Sequence, residues 1–188
     1  LIFGVFKKKS ENIVYNLTIL TFLFLLALNV NLGNINKDYL FNQSYTIDKL
    51  STFMKILTVA SAIFVLMSSS AYLKFTKIFK IEYPILIMSS VLGMMVMISS
   101  NDLIVFYLGL EIQAISLYVL ASFNRDNLLS TESGIKYFVL SALSSGLLLY
   151  GCSLIYGFSG TTNFNLIATI NIVETNYGIT FGIVFILV

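Results

Sequence analysis

Residues 101–123 read NDLIVFYLGLEIQAISLYVLASF. At about 1.5 Å per residue, a helix of this length crosses the roughly 30 Å hydrocarbon core of a bilayer. One carboxylate, Glu111, stands in its middle, about nine residues from one end and twelve from the other. A carboxylate at that depth is costly unless it is paired, wetted or neutralised. Glutamine would keep the helix without the charge, so the acid reads as a working group on a proton path. The bland reading is a neutral glutamic acid hydrogen-bonded to a neighbouring helix for packing. Burial favours the neutral form of a carboxylic acid and a nearby cation favours the charged form. A group that passes between such surroundings takes up and releases a proton.

The rest of the chain suits that setting. Of its 188 residues 57% are hydrophobic and 11% charged, and the mean hydropathy is +0.90. A soluble domain carries about 25% charged residues, so this is an integral membrane protein. There is no Trp, the usual interface residue, and 11 Tyr and 16 Phe must serve instead. One cysteine, Cys152, and no histidine exclude an internal disulfide, multi-cysteine metal or iron–sulfur sites and histidine-ligated haem. No phosphate-binding glycine loop or nucleophilic triad is present. The excess of Phe, Ile, Leu, Asn, Tyr, Lys and Ser suggests AT-rich codons, a compositional hint of an organelle genome.

These runs predict an all-α, polytopic transmembrane helix bundle forming one membrane domain over residues 1–188. Five full spans fall at about 13–33, 47–72, 84–100, 102–123 and 134–158. A sixth, 178–188, has only 11 residues, about 16 Å of helix, and reads as a half-span. Lys7–Lys9 precede an apolar run too long for a cleavable signal, so the first span is expected to be retained. Residues 34–46, 124–133 and 159–177 read as polar loops. Five crossings put Lys7, Lys8, Lys9, Lys74, Lys77, Lys80 and Arg125 on one side, against Lys37 and Lys49 on the other. The side with seven basic residues is the inner one, with the N-terminus.

Two lysines join Glu111 as candidate site residues. Lys55 lies two turns into the second span, where it either snorkels to the interface or lines a wet path. Lys136 opens the fifth span, roughly 14 Å nearer the inner side than Glu111 by helix rise. That is beyond direct pairing, so Lys136 either snorkels or acts as a relay or tuning charge through water. Ser141, Ser144 and Ser145 share a face beyond it and either hold such water or form a small-residue contact seam with Ala142 and Gly146. The Met-rich third span, with Met94, Met95 and Met97, reads as adaptable packing.

The stretch SSNDLIVFYLGLEIQAISLYVLASF, followed by STESGIKYFVLSALSSGLLLYGCSLIYGFSGTTNF, resembles the subunit 2 family of proton-pumping NADH:ubiquinone oxidoreductase, respiratory complex I. The likeness lies in L-x-L-E-x-Q-x-x-S-L-Y-V-L-A, E-x-G-x-K-Y-F and S-S-G-L-L-L-Y-G-x-S-L-I-Y-G-x-x-G-T. It covers residues 99–164, with a weaker match from Asp48 to Lys55. Sister subunits and cation/proton antiporters usually carry a proline soon after the helix glutamate; here Glu111 is followed by IQAISL.

The resemblance implies an antiporter-like membrane-arm subunit of a proton-translocating enzyme. In that family the glutamate matching Glu111 is a key acid of the proton channel, paired with a lysine on a later, broken helix. The resemblance implies NADH, FMN, iron–sulfur clusters and ubiquinone for the complex, and none of these cofactors on this chain. The implied partners are membrane lipid, the other membrane-arm subunits, and a second polypeptide supplying the later lysine-bearing helices, as in a split subunit. Nucleic acid is not expected. The implied place is the mitochondrial inner membrane, with the N-terminus on the matrix side. Two alternatives stand beside this reading: a non-pumping scaffold subunit of the same complex, for which Gly146→Leu would block assembly, and a component of a cation/proton antiporter.

Overall fold

The computed structural model describes residues 11–32, 37–76, 78–173 and 177–188. Helix α1 spans Glu11–Leu32 and α2 spans Lys49–Phe75, with a short antiparallel hairpin, β1 (Asp38–Leu40) and β2 (Tyr45–Ile47), between them. Then follow α3 (Glu82–Ile98), α4 (Leu103–Ala121), α5 (Leu128–Ser159), α6 (Phe164–Val173) and α7 (Tyr177–Leu187). Among the described residues four helices are long and apolar enough to cross a membrane: α1, α2, α4 and α5. α3 and α7 are equally apolar but shorter; α3, at 17 residues, is about 25 Å long. The chain is a polytopic membrane helix bundle.

Helices α2, α4 and α5 start where the sequence supplies a cap. Asp48 accepts a hydrogen bond from Ser51 N at 2.7 Å, while Ser51 Oγ accepts from Asp48 N at 2.9 Å, a complete capping box for α2. Asp102 caps α4 through Ile104 N at 2.8 Å, and Asn127 caps α5 through Leu129 N at 3.0 Å. Gly160, at φ +71°, ends α5 in the left-handed conformation that a side chain would disfavour.

The core lies between helices rather than at the centre of a globule. Tyr15, Phe22, Val59, Ala62, Leu66 and Val91 pack α1, α2 and α3 together. A second cluster, Leu103, Cys152, Ile155, Ile167 and Ile179, joins α4, α5, α6 and α7. Large apolar side chains such as Phe64 and Leu140 face outward, as lipid-facing positions do. The α3–α4 contact is the most extensive of the bundle. A Cβ on Gly93 would stand 2.6 Å from Gln113 N and 2.7 Å from Gly109 O, so the two backbones touch where only glycine fits.

Alternate loops meet. Thr46 N donates to Ser99 O at 2.8 Å and Asn101 N to Ser44 O at 2.8 Å, tying the hairpin to the α3–α4 turn. Leu103 N donates to Thr162 O at 2.9 Å and Phe164 N to Asn101 O at 3.1 Å, tying that turn to the segment after α5. Asn101 and Asn163 both reach Gln43 O through Nδ2, at 2.9 and 3.3 Å. At the opposite end Tyr83 packs on Phe123, centroids 5.6 Å apart, and Ser130 Oγ donates to Ala121 O at 3.0 Å. Alternate connections thus gather at two opposite ends of the bundle. Lys7, Lys8, Lys9 and Lys77, four of the seven basic residues that set the orientation, lie outside the described residues.

The three expected loops need correction. Residues 34–46 contain β1 and pair with β2; the hairpin turns through Phe41, Asn42 and Gln43, all at positive φ. Residues 124–133 are helical from Leu128, six residues before Gly134, the expected start of the span, because Asn127 supplies the cap. Residues 159–177 hold α6, whose first turn is capped by Asn163 accepting from Asn165 N at 3.0 Å.

Candidate functional site

Glu111 is the ninth of the 19 residues of α4, counting from Leu103. Tyr107, Glu111, Ala114 and Tyr118 follow one another at three- and four-residue steps and so share one face of the helix. Ser141 and Ser145, four apart on α5, meet that face. Ser145 Oγ donates to Glu111 Oε1, and the Tyr107 hydroxyl lies 3.1 Å from the same Ser145 oxygen. Seven residues along, the Tyr118 hydroxyl donates to Ser141 Oγ. Tyr137 and Phe138 wall in the Tyr118 ring edge-on at 5.1 and 5.6 Å.

These groups line a groove of about 240 Å³ between α4 and α5. Its far wall is the last turn of α7 and the residue after it: Phe185, Ile186, Leu187 and Val188. α5 and α7 are held together by glycines: a Cβ on Gly151 would stand 2.7 Å from Gly182 O. The groove therefore presents one carboxylate, two phenols and three serines inside an apolar bundle. A set of that kind holds water and passes protons between hydroxyl groups.

The structure does not bring the two candidate lysines to Glu111. Lys136 Nζ pairs with Glu132 Oε1 at 2.6 Å, one turn back on α5, and both side chains are more than half exposed. Lys136 does not line the groove, and the groove hydroxyl nearest to it along α5 is Ser141. Lys55 is buried, 8% exposed, and its Nζ donates to the Tyr45 hydroxyl at 3.0 Å beneath the hairpin. It sits on α2, which packs on α1 and α3 and contributes nothing to the groove.

Of the small-residue seam, Ser141 and Ser145 do face α4. Gly146 does not serve as a contact, since nothing stands within 4 Å of a Cβ placed there. The seams used are Gly93 with Gly109, Gly151 with Gly182, and Gly134 against Ser122. Tyr107 and Tyr118 stand at helical spacing from Glu111, and the fold shows what they bind. Gln113 points the other way, into α3, and its buried Oε1 has no hydrogen-bond partner among the described residues. Among those residues no group of His, Cys, Asp or Glu is gathered as a metal site.

Comparison with known proteins agrees with this arrangement. Residues 100–188 match the family described as NADH:quinone oxidoreductase/Mrp antiporter, TM. Along all 188 residues the chain is 63% identical to NADH-quinone oxidoreductase subunit N of Pelagibacter ubique (strain HTCC1062), covering 40% of that protein. Two solved structures carry the same fold. A chain of respiratory complex I from Thermus thermophilus with bound aureothin matches at TM-score 0.77 and 22% identity, over 94% of this chain and 37% of that one. A chain of the membrane-bound sulfane sulfur reductase, an archaeal respiratory membrane complex, matches at TM-score 0.80 and 20% identity, over 99% and 40%.

The chain thus belongs to the antiporter-like membrane family of NADH:quinone oxidoreductases and Mrp antiporters. Within it, the high-identity relatives are subunits N of NADH-quinone oxidoreductase, of whose length this chain spans about 40%.

Proposed function

We propose that the chain is part of a proton-translocating membrane-arm subunit of an NADH:quinone oxidoreductase, and that Glu111 is its proton-handling acid. The observation that carries the proposal is the Glu111 carboxylate at mid-helix, hydrogen-bonded by Ser145 inside a hydroxyl-lined groove. The 63% identity to a subunit N supplies the enzyme class. Quinone reduction elsewhere in the complex, using NADH, FMN and iron–sulfur clusters on other subunits, changes the electrostatics along the membrane arm. Glu111 answers by exchanging its proton through the Ser145 and Tyr107 hydroxyls. Lys136 tunes this from the surface end of α5. Lys55 has the weakest tie to the path.

The resemblance implies a partnering lysine on a later helix, in the length of the relatives that this chain does not span. The membrane is an energy-coupling one. Composition suggested the mitochondrial inner membrane with a matrix-side N-terminus, whereas identity to a bacterial chain favours a bacterial plasma membrane with that terminus in the cytoplasm. The matched family also takes in Mrp antiporters, so a cation/proton antiporter component is the second reading.

Mass spectrometry of the intact membrane assembly tests the assignment. A complex holding this chain together with NADH dehydrogenase subunits is the expected result. The chain in an assembly of antiporter subunits alone would overturn it. The same spectrum shows whether the later lysine helices arrive on this polypeptide or another.

A further inference from the structure

A cleft of about 380 Å³ opens at the basic end of the bundle, where α3 begins and α4 ends. Its mouth carries Lys80 and Arg125, with Glu82 beside them, and its depth is lined by Ile85, Leu86 and Val119. A second cleft of about 370 Å³ shares Val119, Ser122 and Thr131 with the first and continues along Ile135 and Phe138. Two apolar arms thus meet below one polar mouth.

The cations at that mouth are uncommitted. Among the described residues the one ion pair is Lys136–Glu132, so neither Lys80 nor Arg125 has a carboxylate within pairing distance. Both side chains are exposed, at the level where α3 starts and α4 stops. Glu82 leaves the mouth with a net charge of +1, taking one from the two cations. We propose that this double cleft binds one acidic phospholipid, its phosphate between Lys80 and Arg125 and its two acyl chains in the two arms. A zwitterionic headgroup would add a cation beside Lys80 and Arg125, so it fits less well. Basic pockets between helices on the positively charged side of a membrane protein suit anionic headgroups for the same reason. A soluble phosphate ester would use the mouth and leave both arms empty, so the site commits to a lipid. Nothing in this inference depends on Glu111 moving a proton.

The test uses the assembled native complex in nanodiscs containing photoactivatable phosphatidylglycerol or phosphatidylcholine, with cross-linked peptides mapped on this chain. Labelling within 80–86 and 119–138 is expected, with phosphatidylglycerol favoured about fivefold, the contribution of one net basic charge near the surface. In the Lys80→Ala/Arg125→Ala variant the two lipids should label alike. In Leu86→Trp, which fills one arm and keeps both cations, labelling by either lipid should drop. High salt should reduce the wild-type preference, and excess glycerol phosphate should not compete. Should the double variant fail to assemble, the wild-type preference, its salt dependence and Leu86→Trp still decide. Equal labelling by both lipids in the wild type would overturn the proposal. So would cross-linking of 80–86 to protein alone, which would mean that a neighbouring subunit fills the cleft.

Discussion

Ser145 on α5 donates its hydroxyl hydrogen bond to Oε1 of Glu111 on α4, and Tyr107, one turn from Glu111, reaches the same serine oxygen at 3.1 Å. The carboxylate is therefore held between two helices by a group that can relay a proton as well as donate one. Hydrogen bonds to ionised groups contribute about 1.5–3 kcal/mol. Ser145→Ala should lower NADH-driven proton uptake roughly tenfold at the smaller of those values, with electron transfer and assembly less affected, and Ser145→Thr should restore it. Tyr107→Phe should have a smaller effect. Dye quenching in reconstituted vesicles measures uptake. Unchanged uptake in Ser145→Ala would leave the contact as packing alone.

The α3–α4 seam predicts where assembly fails. A Cβ on Gly93 would lie 2.6 Å from the backbone nitrogen of Gln113, and backbone cannot step aside cheaply. Gly93→Ala should destabilise the bundle by about 1–3 kcal/mol or more and reduce the amount of assembled complex on native gels. Gly146→Leu, with nothing near the added side chain within the bundle, should assemble at the wild-type level unless a neighbouring subunit packs there.

Lys55 and Tyr45 should respond unequally. Tyr45→Phe removes the hydroxyl that accepts from a buried ammonium and leaves it only the ring face, 4.9 Å away, at a cost of about 1.5–3 kcal/mol. Lys55→Met keeps the packing and removes the charge, so it should cost less. Thermal inactivation of the two variants compares them directly. The reverse order would mean that Lys55 has a partner supplied from outside these residues.

Asp48 gives a pH dependence at the hairpin end. Its hydrogen bonds from the Ser51 backbone and side chain hold its carboxyl below the usual carboxylate range, outside the membrane span. A lowered folded-state value means that the stabilisation is present above about pH 4 and lost as pH falls through the lowered value. Asp48→Ala should speed exchange of the Ser51 amide about fivefold at neutral pH, for a cap of about 1 kcal/mol. The gap from wild type should narrow in acid. A gap independent of pH would assign the effect to the cap geometry alone.

The helices were legible because a membrane span is written in composition: long apolar runs need no partner to be recognised. Glu111 was legible because one charge stands out in such a run. The hairpin was not, since its strands have three residues each and its order comes from bonds to Ser99 and Asn101, more than fifty residues away. α6 was hidden by the asparagines at its ends, which read as loop until Asn163 is seen as a cap. Small-residue spacing marks a face that can pack closely, not the neighbour that does so, and Gly146 meets none among the described residues. Lys136 was legible as standing beyond direct pairing with Glu111, and its spacing to Glu132 fits the ion pair that forms.

The central claim is that the Glu111 carboxylate handles protons, and the ratio of protons moved to NADH oxidised in the assembled complex tests it most directly. Glu111→Gln keeps the shape and the hydrogen bond to Ser145 but cannot ionise. A complex that assembles, oxidises NADH and moves fewer protons per NADH is the predicted result. A fully assembled Glu111→Gln complex with an unchanged ratio would contradict the account and leave the residue a packing group.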